Sequence, residues 1–309
     1  MIDFVRNRRT YFVVAGVLVA LSVIGMLTSY AVYGQLLRVG IDFRGGSLFS
    51  VRFAKAVSEE TIREAFVAEG YAGTIVQQLG DPTDFAWQIR TSFATTDQVN
   101  AVLERLDAST GAVDRGNSVV DTVEASVGAE VARSAAQAAG VAALVVLAFI
   151  WFSFRRVPNS MRYGIASVVA MLINVVVAMG FYALMGFLQG WEADALFLTA
   201  ILTVIGFSVQ DIIVVFDRIR ENIPRHRGEP FSMIVNRSIM ETLHRSLATQ
   251  LNAMFVMIAI LLFGGATLKP FIAVMLVGML SETFTSMFVA VHIVGLWEER
   301  GRLRPARAA

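Results

Sequence analysis

The chain has 309 residues, 56% of them hydrophobic and only 17% charged, with a formal net charge of +1 and a mean hydropathy of +0.62. That balance excludes a disordered chain and argues against an ordinary soluble globule, whose charged fraction is about 25%. With no cysteine and three scattered histidines (His226, His244, His292), disulfides, thiolate sites and a zinc cluster drop out; no basic patch interleaved with aromatics marks a nucleic-acid partner.

In chain order, residues 11–37 form the first apolar run long enough to cross a bilayer. Arg6, Arg8 and Arg9 precede it, as in a signal peptide. The run exceeds a typical signal h-region and no A-x-A-like site closes it, which favours an uncleaved anchor. Five further runs follow a long mixed segment, at 134–154, 164–188, 193–216, 247–265 and 271–297. The expected fold is a polytopic α-helical membrane protein of six transmembrane helices.

Arginine placement predicts the orientation. Arg155, Arg156 and Arg162 lie in the second-to-third connection, and Arg218, Arg220, Arg225, Arg227 and Arg237 in the fourth-to-fifth. Arg300, Arg302, Arg304 and Arg307 lie in the tail. Of the short alternate connections, 189–194 holds no basic residue and 266–270 holds only Lys269. By the positive-inside rule both termini are cytoplasmic, in a multi-pass protein of the cytoplasmic (inner) membrane. The predicted segments are 1–39 (N-terminus and first helix), 40–133 (extracytoplasmic), 134–297 (helices two to six) and 298–309 (cytoplasmic tail).

Segment 40–133 carries eight basic and fourteen acidic residues, a net charge of −6 against +7 for the remainder. Phe49, Val51 and Phe53 alternate on a strand. Ser58 caps a helix opening with Glu59 and Glu60 and running to Glu69. A strand at 73–79, an Asp81-Pro82 turn and a third strand with Phe85, Trp87 and Ile89 on one face come next. Thr95 and Gln98 form a capping box for a helix through Leu106, and 118–123 reads as the last strand. The order β-α-β-β-α-β is the ferredoxin-like α+β pattern, placed here between helices 1 and 2.

Ionisable residues inside apolar spans are the site candidates, since each costs about 2.5–3.5 kcal/mol at mid-membrane. Asp211, Arg245 and Glu282 qualify. Asp211 lies six residues, roughly 9 Å, inside the boundary marked by Asp217 and Arg218. It is either a paired structural acid or a group that takes up and releases a proton. Thr199, Thr203, Gly206 and Gln210 form a small or polar stripe beside it. Arg245 recurs with Thr249 and Asn252 on one face of the next span, either snorkelling to phosphate or pairing with Asp211. Glu282, among Ser281, Thr283, Thr285 and Ser286, is a further candidate for the same seam. No P-loop, zinc-protease or nucleophile-elbow motif points to an enzyme.

At these residues the sequence resembles the SecF family, partner of SecD in bacterial Sec protein export, within the resistance-nodulation-division superfamily. Gly40-Ile41-Asp42-Phe43-Arg44-Gly45-Gly46-Ser47 is similar to that family's segment after the first helix. Gly206 through Asn222, with Asp217 and Arg218, resembles its fourth-helix signature. Arg245-Ser246-Leu247-Ala248-Thr249 resembles the fifth-helix pattern, and Thr283-Phe284-Thr285-Ser286 its sixth. The resemblance implies a SecD partner, work beside a SecYEG-type translocation channel on an emerging preprotein, and proton flow as the energy source, with no cofactor. It places the family's essential aspartate on Asp211 and its arginine on Arg245. Ile212 stands where a threonine is usual, Glu282 where glycine is expected, and Val123-Glu124-Ala125 where a Val-Gly-Pro turn is usual. A small-molecule or lipid exporter of the same superfamily, and a structural membrane scaffold, are the alternative readings.

Overall fold

The computed structural model describes residues 4–80, 82–153, 155, 160–226, 228–265 and 268–302. Of the residues named above, Asp81, Arg156, Arg227, Arg304 and Arg307 lie outside the described residues.

The chain divides into two compact units. The first is a helix bundle. Six stretches among the described residues are long and apolar enough to cross a membrane. They are α1 (Arg8–Tyr33), α5 (Ala125–Ser153), α6 (Ser160–Gln189), α7 (Ala195–Arg225), α8 (Phe231–Phe263) and α9 (Leu268–Thr285), which continues through a π turn at Ser286–Ala290 into α10 (Val291–Arg302). Several helices overrun the apolar runs, because hydropathy marks lipid contact and not the end of helical hydrogen bonding. α5 starts at Ala125 instead of residue 134, across a stretch with no proline. α8 starts at Phe231 instead of residue 247, where Phe231, Ile234, Val235, Ser238, Ile239 and Thr242 bury one helical stripe.

Small residues let the helices approach. A Cβ on Gly180 of α6 would fall 2.2 Å from Ser22 Cβ of α1, and one on Gly278 of α9 2.3 Å from Val204 of α7. Tyr163, Ala166 and Ala170 of α6 pack with Ile212, Val215, Phe216 and Ile219 of α7 and with Val291 and Val294 of α10.

The second unit, Val39–Gln137 with Glu192–Ala195, is built on a sheet. After the short α2 (Ile41–Arg44) come β1 (Gly46–Phe53), α3 (Glu59–Ala68), β2 (Ile75–Leu79), β3 (Ala86–Thr91), α4 (Thr96–Thr110) and β4 (Val113–Val123). The strand order is β2-β3-β1-β4, every pair antiparallel, with Val51 opposite Trp87 and Phe49 opposite Val120. Phe49, Val51 and Phe53 bury one strand face against Ile62 and Phe66 of α3 and Val102 and Leu106 of α4. Thr61 N–H donates to Ser58 Oγ at 3.2 Å, and the Thr95–Gln98 capping box is formed.

Three local expectations are corrected. Phe85 precedes β3 with φ 49°, a left-handed residue and not a strand position. The second helix runs on past Leu106 to Thr110, where Gly111 supplies the left-handed cap with φ 59°. β4 begins at Val113, ahead of residue 118, because a register shift between Ser50 and Arg52 lets the strand pair twice across an irregular stretch.

Candidate functional site

A set of buried polar residues from α6, α7, α8 and α9 meets inside the bundle. α7 presents Val204, Ser208, Asp211, Val215, Ile219 and Asn222 inward, one stripe at helical spacing. α8 answers with Ser238, Thr242, Ser246, Gln250 and Met254, and α9 with Gly278, Ser281, Glu282 and Thr285.

Two connected layers result. In the first, Asn174 of α6 donates from Nδ2 to Ser208 Oγ at 2.9 Å, while its Oδ1 accepts from Ser281 and Thr285 at 2.8 Å each. In the second, Gln250 donates from Nε2 to Asp211 Oδ2 at 3.2 Å and to Glu282 Oε2 at 2.5 Å. Asp211 is 5% exposed and Glu282 fully buried. Ser246 lies beside Asp211 and Ser286 beside Glu282. A third polar group forms where Asn222 Nδ2 reaches Ser238 Oγ at 3.0 Å and Glu241 at 2.8 Å, with Glu241 also bound by Arg218.

Asp211 and Glu282 are therefore brought together. Arg245, Thr249 and Asn252 are not part of their cluster: all three are exposed on α8, and Arg245 makes no ion pair with a described residue. Position 245 is rotated about 100° from position 246, and the inward stripe runs through Ser246 and Gln250. Gln210 is likewise exposed, as are Thr199 and Gly206, so the small and polar stripe of α7 faces away from Asp211. Asp217 pairs with Arg220 at 2.5 Å, and Arg218 pairs with Glu221 and Glu241.

Gln250 and Asn174 are the residues that sequence reasoning missed. A search for ionisable groups alone passes over carboxamides; a search for any polar side chain inside an apolar run finds both. The Ser246–Gln250 pair has the same four-residue spacing as Arg245–Thr249, so spacing alone left the choice of face undetermined.

The glycine-rich segment after α1 is bonded to residues 192–195 of the same unit. Gly40 N–H donates to Ala193 O at 2.8 Å, and Asp42 Oδ2 accepts from Ala195 N–H, the first residue of α7, at 2.8 Å. Glu192 pairs with Arg90 of β3. Gly45 (φ 77°) and Gly46 (φ 127°) are demanded twice: by conformation, and because a Cβ on Gly45 would sit 2.5 Å from Ala125 Cα and one on Gly46 2.8 Å from Thr91 O. Phe43 occupies the same short helix, α2. Among the described residues, no group of three or more His, Cys, Asp or Glu is arranged to hold a metal ion.

The family described as protein export membrane protein SecD/SecF, C-terminal, matches residues 102–300. The protein translocase subunit SecF of Thermobaculum terrenum is 38% identical over 98% of this chain and 96% of its own length. The SecF subunit of a Synechocystis species is 30% identical over 96% of this chain and 95% of its own length. The protein translocase subunit SecDF of Thermus thermophilus is 30% identical over 92% of this chain, a match covering 37% of that longer protein. The crystal structure of SecDF, a translocon-associated membrane protein from Thermus thermophilus, is similar with a TM-score of 0.78 at 29% identity. That likeness covers 97% of this chain and 39% of the SecDF chain, so this chain spans about two fifths of it.

Proposed function

The chain belongs to the SecD/SecF protein-export family, and on that premise we propose that it works as the SecF-like half of a proton-driven export complex. The observation that carries the reading is Asp211, a carboxylic acid buried inside a membrane span with a carboxamide as its hydrogen-bonded partner. An acid there is costly, and an intramembrane acid is by default a functional-site candidate. Uptake of a proton changes Asp211 from acceptor to donor and alters which contacts α7 and α8 can make. Each charge crossing the membrane supplies about 2.3 kcal/mol per 100 mV, the scale of a modest helix repacking.

The arginine asymmetry supports cytoplasmic termini and an outward-facing residue 40–133 segment. The strand order β2-β3-β1-β4 with α3 and α4 on one face supports a ferredoxin-like reading of that segment, between the first two spans. Its net charge of −6 contrasts with the +7 of the remainder.

SecD is the expected partner, beside a SecYEG-type channel. The exposed faces of α7 (Thr199, Gly206, Gln210) and α8 (Arg245, Thr249, Asn252) support docking of a second membrane half, since small and polar residues favour helix contact over lipid contact. In this reading Arg245 meets a group on SecD and influences Asp211 through the assembled complex.

The test is proton-driven export by Asp211→Asn, measured with SecD in sealed vesicles alongside proton conductance. Both fall tenfold or more if the reading holds; unchanged export with unchanged conductance overturns it.

A further inference from the structure

Glu282 is absorbed by neither the family resemblance nor the single-aspartate reading. It lies wholly inside the bundle, where α9 faces α6, α7 and α8. Each neighbouring element contributes a defined group. α6 brings Asn174, whose carboxamide oxygen and nitrogen are both engaged with hydroxyls. α7 brings Asp211, α8 brings Gln250 and Ser246, and the π turn brings Ser286. No Lys, Arg or His among the described residues is hydrogen-bonded or ion-paired to either carboxyl; His244 and Arg245 are on the exposed face of α8.

Two acids thus share one amide nitrogen and no cation, within two hydrogen-bond lengths of one another. If both were ionised, two negative charges would face each other in a low-dielectric interior across a single neutral bridge. Carboxyl pairs in that situation keep a proton between them. A second observation agrees: Glu282 Oε1 and Gln250 Oε1 are both buried without a hydrogen-bond partner among the described residues. A proton on Glu282 adds a donor where the structure has an excess of acceptor oxygens.

We propose that Asp211 and Glu282 form one proton-binding unit bridged by Gln250, with Glu282 as a second proton-carrying group. The unit holds one proton when Gln250 turns its nitrogen toward the pair, donating to both carboxyls. A second proton makes both carboxyls donors, and the amide then serves by presenting its oxygen. The step is a proton arriving on one carboxyl oxygen; no other covalent bond changes, and the amide rotation registers the load. This deepens the preceding reading and rests on Asp211 taking part in proton transfer.

The experiment is infrared spectroscopy of the full chain with SecD in membranes, reading the C=O band of protonated carboxyls as a function of pH. Labelling with ¹³C-glutamate shifts that band in the unsubstituted chain, and Glu282→Gln abolishes it. Glu282→Asp keeps a band that ¹³C-aspartate now shifts. Asp211→Asn moves the pH at which the band is lost by about one unit or more, the mark of coupled sites. A band indifferent to ¹³C-glutamate overturns the proposal even if Glu282→Gln fails to fold, as does a Glu282 band whose titration ignores Asp211→Asn. Failure of the wider reading looks different: Asp211→Asn then leaves export intact whatever the spectrum does.

Discussion

The sheet unit and the helix bundle differ in what they bury and what they expose. In the sheet unit the interior is Phe49, Phe66, Ile62, Ile89 and Leu106, and its few buried polar residues, Ser47, Thr74, Thr91 and Thr110, are small hydroxyls. In the bundle, Val13, Leu21, Ile24, Leu144, Phe255, Leu262 and Phe263 are exposed, while Asn174, Ser208, Asp211, Ser238, Glu282 and Thr285 are buried. The solvent explains the difference. Water expels apolar area from its surface, so the sheet unit closes over its phenylalanines. Lipid is as apolar as leucine and gives no such drive, so the bundle is held by close small-residue contacts and internal hydrogen bonds.

The sharpest way to break this comparison is to truncate the same residue type on each side. Phe66 is fully buried and meets Phe49 edge-on, with ring centroids 5.0 Å apart. Phe66→Ala is expected to cost the sheet unit about 3–5 kcal/mol. Phe255 is 66% exposed on α8, and Phe255→Ala is expected to stay within about 0.5 kcal/mol. Denaturant titration of the full chain in lipid micelles, followed by amide hydrogen exchange in β1 and α8, separates the two. Equal losses at both sites would remove the distinction.

A glycine pair sharpens the bundle side. Gly180 has Ser22 against it, whereas Gly16 of α1 has nothing within 4 Å of its missing Cβ. Gly180→Ala is expected to destabilise by about 1–3 kcal/mol through forced separation of α1 and α6. Gly16→Ala is expected to be neutral or slightly stabilising through helix propensity. The readout is the unfolding midpoint in mixed micelles; a neutral Gly180→Ala would mean that close approach contributes little to the bundle.

These contrasts also explain what the sequence made legible. The sheet unit obeys rules of alternation and capping that need no partner, so Phe49, Val51, Phe53, Ser58 and Thr95 could be placed in advance. Asp211 was legible because a charge in an apolar run is rare. The helix facing it was legible too, but not its rotation. In water the polar stripe of α8 would point outward; in lipid it points inward, and when a partner is expected both stripes are admissible. Arg245, Thr249 and Asn252 and Ser246 and Gln250 are equally polar on paper, and packing of Met254 and Met257 against α9 decides between them. The lengths of α5 and α8 escaped for a related reason, since helix continues where lipid ends.

A smaller effect is expected at one hydrogen bond within the sheet unit, from Ala195 N–H to Asp42. The first amides of α7 have no partner inside the helix, and a carboxylate there both accepts a hydrogen bond and meets the positive end of the helix dipole. Asp42→Ala removes both effects and is expected to cost about 0.5–2 kcal/mol. Asp42→Asn keeps an acceptor and forfeits only the charge, so its cost is expected to be a few tenths of a kcal/mol. Amide exchange in the first turn of α7 reads the difference directly: a loss of about 1 kcal/mol is a roughly fivefold faster exchange at Ala195 and its neighbours. Export by Asp42→Ala should fall less than export by Asp211→Asn, because the helix loses an anchor and keeps its proton site. If Asp42→Ala left exchange at Ala195 unchanged while abolishing export, the aspartate would be acting on something other than the start of α7.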